Sequence, residues 1–327
     1  MSSQSASKSA RVRRVLSIDG GGIRGIIPAH VIAHLEAISG QPAAQLFDLI
    51  VGTSTGGILA LGLTVPALHG GPFTATAKHS PRYSASELKA LYTEQGANIF
   101  SCSLLHRLRS LGGTFEETYH HAALEAVLGQ YFGNATLASA VTPTMVTSYD
   151  IQARQTVFLK SWHAAHAAIP MQEAARATAA APTYFEPAEV SWGGQARPLI
   201  DGGIFLNSPV VSAYAEAIKR FPGDEIHVLS LGTGELTRPI SFEQAQAWGA
   251  LGWVLPLIDC MFDGMAKAAD YQMRLFLGDR YQRIQAVLDI ASDDMDDVSA
   301  ENMINLERTA QRLIKNHQDA LRSFLRA

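Results

Sequence analysis

FDLIVGTSTGGILALGL, residues 47–63, begins as an apolar run, turns on glycines around a serine, and continues in small and apolar residues. Residues 47–51 read as a buried strand, because a short apolar run bounded by turn residues fits a strand covered on both faces. Residues 55–63 have the length and composition of a helix. Between them Gly52-Thr53-Ser54-Thr55-Gly56 fits the G-x-S-x-G pattern of a nucleophile elbow. A strand-to-helix turn that tight strains the backbone and needs glycine on both sides, the role expected of Gly52 and Gly56. Ser54 then projects its Oγ from the turn. It also stands at a helix N-terminus, where unpaired N–H groups and the helix dipole favour developing negative charge. The strand before it and the helix after it make Ser54 the candidate nucleophile.

Upstream the same unit occurs once more. Residues 12–18 read as a strand, and residues 25–39 carry Ile27, Val31, Ile32, Leu35 and Ile38 at helical spacing. The turn between them is Asp19-Gly20-Gly21-Gly22-Ile23-Arg24-Gly25. Gly20, Gly22 and Gly25 satisfy the dinucleotide fingerprint G-x-G-x-x-G, which calls for an acid ending the next strand about 20 residues on. Glu36 falls inside the helix and Asp48 begins a strand, so neither fills that role. The alternative is an oxyanion hole: the amides of Gly20, Gly21 and Gly22 exposed to a tetrahedral intermediate, with Arg24 adding positive charge beside them.

Two strand-turn-helix units in succession predict a parallel sheet. Farther along, residues 144–149 and 155–159 read as antiparallel strands, 171–181 as a helix stopped by Pro182, and 198–200 as a short strand ending in Asp201-Gly202-Gly203. A helix over 209–220 and a strand over 225–231 follow, and from residue 241 the signal is mostly helical, ending in an amphipathic segment near 300–325. Residues 66–83 and 100–114 read as irregular surface segments. Ser84 with Glu87 forms a capping box opening a helix to about residue 98, and another helix is expected near 116–128. The predicted fold is a three-layer α/β/α sandwich around a mainly parallel sheet, with extra C-terminal helices packed over one face. Residues 12–327 are expected to form a single domain after a tail over 1–11, with the motifs in 12–235 and a helical part in 236–327. Asp201 is expected at the sheet edge that carries Ser54, because the carboxyl ends of strands build the site in open α/β sheets.

Composition bounds the function. Of 327 residues, 47% are hydrophobic and 17% charged, which supports a sizeable core. A net charge of -4 gives no reason to expect a nucleic acid polymer as partner. The basic cluster Lys8, Arg11, Arg13 and Arg14 reads as a solvated tail able to touch phospholipid headgroups. Cys102 and Cys260 lack metal spacing, and no Glu completes a metal pattern around His120, His121, His163 or His166, so no metal is expected. With no leader-type apolar segment and no stretch of about 18 unbroken apolar residues, the expectation is a soluble, cytoplasmic protein.

Most serine hydrolases move the proton through histidine. In the order serine, acid, histidine, only His227 and His317 follow Asp201. The first lies in an apolar strand and the second in a surface-like helix, so a Ser54/Asp201 dyad is the preferred reading. A histidine-assisted esterase or thioesterase is the alternative, and a nucleotide-binding signalling module built on Gly20–Gly25 is a third, non-enzymatic one.

Taken together, DGGGIRG at 19–25, GTSTGG at 52–57 and DGG at 201–203, with ARATAAAPTYFEP at 175–187 and LSLGTGE at 229–235, resemble the patatin-like phospholipase family over residues 12–235. The resemblance implies Ser54 as nucleophile, Asp201 as activating carboxylate, and Gly20, Gly21, Gly22 and Arg24 as oxyanion site. It implies a lipid acyl hydrolase of phospholipase A or lysophospholipase type, working through an acyl-enzyme without a cofactor. Ala179 replaces a serine frequent in relatives and is expected to stay clear of the chemistry. A phospholipid substrate makes peripheral membrane contact an expectation; residues 100–111 and 248–265 are the candidate contacts, with packing into the core as the alternative. Some bacterial relatives are effectors held inactive until a cyclic nucleotide releases membrane-lipid cleavage in antiphage defence. Nothing in the sequence marks a site for such an activator.

Overall fold

The computed structural model describes residues 10–67, 80–96, 99, 120–182, 184–235 and 237–326. Among them eight strands join in one sheet: β1 (Val12–Ile18), β2 (Leu49–Gly52), β3 (Thr144–Asp150), β4 (Gln155–Lys160), β5 (Ala188–Trp192), β6 (Gln195–Asp201), β7 (Glu225–Leu231) and β8 (Tyr281–Ile284). The order is β5-β6-β3-β2-β1-β7-β8, with β4 also paired to β3. Neighbours from β3 through β2, β1 and β7 to β8 are parallel, whereas β4 and β6 run antiparallel to β3.

The apolar runs of the sequence are runs because the central strands are covered on both faces. Leu16, Ile18, Ile50, Val146 and Leu229 belong to one buried cluster, and Val15, Leu49, Val51, Met145 and Val228 to the other, as a period-two alternation requires. The helices are α1 (Ile26–Ser39), α2 (Ala43–Leu46), α3 (Thr55–Thr64), α4 (Ala85–Thr93), α5 (His120–Phe132), α6 (Met171–Thr178), α7 (Gly203–Leu206), α8 (Val210–Arg220), α9 (Phe242–Ala247), α10 (Ala250–Leu277), α11 (Ala300–Asn316) and α12 (Gln318–Arg326). α1, α3, α4, α5 and α6 pack on the first face and α8 on the second, which makes the three layers. The capping box of Ser84 and Glu87 opens α4 as expected. Residues 68–79 and 100–119 lie outside the described residues, and with them most of the two irregular segments.

Three expectations are corrected. The C-terminal helices do not share one face: α10 buries Ala269, Met273 and Leu277 against the second face, while α11 and α12 bury Leu306, Leu313 and Phe324 against the first. Between them the chain crosses through β8, a strand the helical pattern of this region conceals because its YQRI sequence is short and buried only at its ends. Of the basic cluster, Lys8 lies outside the described residues and Arg11 is exposed, but Arg13 and Arg14 are not part of a solvated tail. Arg13 pairs with Asp48 and Asp224, both at 2.7 Å, and Arg14 donates to the Leu325 carbonyl at 3.1 Å, which ties β1 to its surroundings.

The third correction bears on the site. β2 occupies one edge of β3 only from Thr144 to Val146, and β4 fills the other edge from Met145 to Asp150. β6 pairs with Ser148 through Asp150, so it takes the edge β2 has vacated and meets β2 head-on. The C-terminal residues Gly52 and Asp201 thereby face each other. Asp201 reaches Ser54 from an opposing strand, not from the carboxyl edge of the parallel set.

Candidate active site

The elbow shows why each of its residues is what it is. Gly52 packs so closely on the following helix that a Cβ there would lie 2.0 Å from the Gly56 carbonyl oxygen. A Cβ on Gly56 would lie 2.4 Å from the Ile18 carbonyl oxygen. Ser54 itself adopts φ 55° and ψ -125°, a conformation that costs a residue with a side chain on the order of 1–3 kcal/mol and persists only where neighbours enforce it. Its N–H donates to Thr178 Oγ1 at 2.9 Å, at the end of α6. Beside it, Thr53 Oγ1 donates to the Leu206 carbonyl at 2.9 Å and meets Thr147 Oγ1 at 2.8 Å. Thr147 in turn packs on Gly202, where a Cβ would lie 2.2 Å from its hydroxyl oxygen. The elbow and the Asp201 turn are thus built on one set of threonine contacts.

Asp201 is 3% exposed; its Oδ1 accepts the Gly203 N–H at 2.7 Å, and the Ser54 hydroxyl lies near enough to its carboxylate to favour the ionised form. Burial pushes its pKa up to about 7, against both of these groups. A carboxylate so tuned accepts and returns a proton near neutral pH. The two candidate histidines lie elsewhere. His227 Nε2 is 2.9 Å from Glu225 Oε1 and His317 Nδ1 is 3.0 Å from the Leu313 carbonyl; neither lines the cavity. Among the described residues no group of His, Cys, Asp and Glu is placed to hold a metal ion.

The glycine turn is corrected in part. Gly20 lies against the elbow, but its N–H donates to the Asn207 carbonyl at 3.0 Å, so it is not free for an oxyanion. Among the described residues no carbonyl takes the amides of Gly21, Gly22 or Thr55. Gly22 holds φ 58°, and a Cβ there would lie 2.2 Å from the Met295 carbonyl oxygen, so only glycine fits. Arg24 is buried behind the turn and donates to the carbonyls of Gly21 at 3.3 Å and Asp293 at 3.0 Å; it braces the loop and does not line the cavity. The Thr55 amide was legible as the residue after the nucleophile, a recurrent oxyanion donor in elbow enzymes. Thr178 and Asn207 carried no such signal.

Ser54, Asp201, Gly21 and Gly22 open onto a cavity of about 140 Å³ whose walls are Ile58, Ile99, Leu124, Phe185, Ile204 and Phe262, an apolar surface fitted to a hydrocarbon chain. Ala179 is also among the residues that line it. α10 supplies a wall through Ile258, Met261 and Phe262, and exposes Trp253, Leu257 and Met261 at 36%, 50% and 44%, Met261 standing at the rim of the cavity. Those three recur at four-residue intervals, a stripe along one helix face. Residues 100–111, the other candidate lipid contact, lie outside the described residues.

Residues 16–214 match the family model described as patatin-like phospholipase. The chain is 33% identical to a cGAMP-activated phospholipase of Pseudomonas aeruginosa, over 90% of this chain and 84% of that protein. It is 31% identical to Patatin-like protein 2 of Arabidopsis thaliana, over 92% of this chain and 82% of that one. Among solved structures, human GIVD cytosolic phospholipase A2 is similar with a TM-score of 0.49 and 11% identity, covering 96% of this chain and 63% of that one.

Proposed function

We propose that this chain, which belongs to the patatin-like phospholipase family and is an enzyme of that class, a hydrolase of lipid esters, cleaves acyl esters of membrane phospholipids through Ser54 and Asp201. The observation that carries the reading is that Ser54 and the buried Asp201 carboxylate open together onto one apolar cavity, with the serine hydroxyl favouring the ionised carboxylate. Asp201 takes the Ser54 proton as Oγ attacks the ester carbonyl. The amides of Gly21, Gly22 and Thr55 receive the oxyanion, and Asp201 returns the proton to the departing lysophospholipid oxygen. Water then attacks the acyl-enzyme, leaving its proton on Asp201; as the intermediate collapses the fatty acid departs and Ser54 recovers a proton.

The test is incubation with phosphatidylcholine and phosphatidylethanolamine vesicles, with fatty acid and lysophospholipid expected as paired products. Cleavage of short p-nitrophenyl esters without any vesicle turnover would leave an esterase and overturn the phospholipase assignment. A second arm adds cGAMP, because a relative that aligns over most of this chain is activated by that ligand. A requirement for it would make this enzyme a signal-released effector, the arrangement suited to antiphage defence.

The substrate lies in a bilayer, and the α10 stripe supports docking there. Trp253, Leu257 and Met261 are exposed beside the cavity wall formed by the same helix, the placement of an amphipathic helix at an interface. No helix among the described residues is long and apolar enough to cross a membrane. Leu257→Glu is expected to lower vesicle hydrolysis about tenfold, the equivalent of one leucine side chain lost from the apolar phase, while leaving short-ester hydrolysis unchanged. Equal loss on both substrates, measured side by side, would remove the stripe from membrane docking.

A further inference from the structure

The glycine turn is held by residues that lie beyond the segment matched by the family model, and one of them is a buried cation. Asp19, the residue before the turn, is 1% exposed, and its Oδ2 meets Arg283 Nη2 on β8 at 2.6 Å. Arg283 Nη1 donates to Ser230 Oγ on β7 at 2.8 Å, so the guanidinium spans the end of the sheet and grips the turn from outside. Three further contacts also come from beyond the matched segment: Thr233 Oγ1 donates to the Gly20 carbonyl at 2.6 Å, Ile23 N–H to the Met295 carbonyl at 2.9 Å, and Arg24 to the Asp293 carbonyl.

A buried ion pair is a poor device for stability, since apolar residues of equal volume commonly serve as well or better. Here it has a geometric and an electrostatic consequence. It fixes the direction in which the chain enters Gly20–Gly22. It also neutralises a carboxylate that, left alone, would stand two positions before Gly21, the first of the amides expected to receive a developing negative charge. Resting on the Ser54/Asp201 reading above, we infer that Arg283 is a positioning residue for the oxyanion site: it touches no substrate, and acts by orienting and neutralising Asp19.

The predicted signature is in kcat. Arg283→Met lowers kcat on p-nitrophenyl esters about 100-fold, the scale of losing one oxyanion donor, with KM within about twofold. Arg283→Lys keeps the charge but not both contacts of the fork, and loses about tenfold with KM again unchanged. Inactivation by an alkyl fluorophosphonate, whose adduct places an oxygen in the same site, slows in parallel. Thermal melting identifies the folded variants, and if Arg283→Met does not fold, Arg283→Lys decides. A folded Arg283→Lys with wild-type kcat, or a loss carried by KM, overturns the role of Arg283. Wild-type protein without Ser54-dependent turnover would instead overturn the hydrolase reading, so the two failures are distinguishable.

Discussion

Ser54→Ala loses ester hydrolysis by about a factor of 10⁶, the scale on which removal of a serine nucleophile acts once its proton acceptor has nothing to activate. Folding is not expected to suffer, because the Ser54 hydroxyl bonds only within the site while the backbone N–H that meets Thr178 is retained. Ser54→Gly sharpens the test. Glycine adopts φ 55° without the side-chain penalty, so this variant should be as inactive as Ser54→Ala and more stable by about 1 kcal/mol. Activity and melting temperature measured on the three proteins separate the chemistry of the hydroxyl from the strain of the turn. Residual hydrolysis above about 1% in Ser54→Ala would move the nucleophile elsewhere.

Asp201→Asn lowers turnover by about 10⁴-fold while making the protein more stable at alkaline pH. Burial raises the pKa from 3.8 in the free side chain to about 7 in the fold. The native state therefore keeps a proton that the unfolded chain releases between about pH 4 and 7, and stability falls as pH rises through that window, by about 4 kcal/mol once above it. Asparagine carries no such charge. The gap in stability between Asp201→Asn and wild type should be near zero below pH 4, open up to pH 7, and stay constant beyond. In the wild type the same titration governs catalysis: kcat/KM falls about tenfold per pH unit below pH 7, because only the carboxylate accepts the serine proton. Flat unfolding differences across pH 4–8, or an acid limb near pH 4, would show an Asp201 that titrates as an ordinary exposed carboxylate and would remove it as the tuned base.

What sequence made legible were the features set by contiguous residues. Gly52 could be read because a Cβ there would meet the backbone of its own turn, and Gly56 and the glycine turn because their glycines stand clustered where a strand ends. What presses on Gly20, Gly21 and Gly22, however, is Asn207, Thr233 and Met295, far along the chain. The central strands could be read because burial on both faces removes polar residues from a run. The capping box at Ser84 needed nothing beyond its own turn. The family segments were legible for the same reason, being short and local.

The remainder depended on pairings between distant parts of the chain. DGG at 201–203 marks a turn, but only the register of β3, shared by β2, β4 and β6, brings Asp201 head-on to Ser54. Nothing near Gly20 indicates that Asn207 takes its amide, and nothing near Asp19 indicates Arg283. Amphipathic spacing at 250–277 and 300–316 states that each helix has an apolar face, not which side of the sheet receives it; that choice followed from β8 carrying the chain across. The amino-acid sequence by itself determined the elbow, the presence of the glycine turn and the layered class of the fold, because each is written in contiguous residues. Tertiary structure alone decided which carboxylate meets the serine, which amides remain free and which cation steadies them, because those depend on strand register and on the burial of charge between segments far apart in the chain.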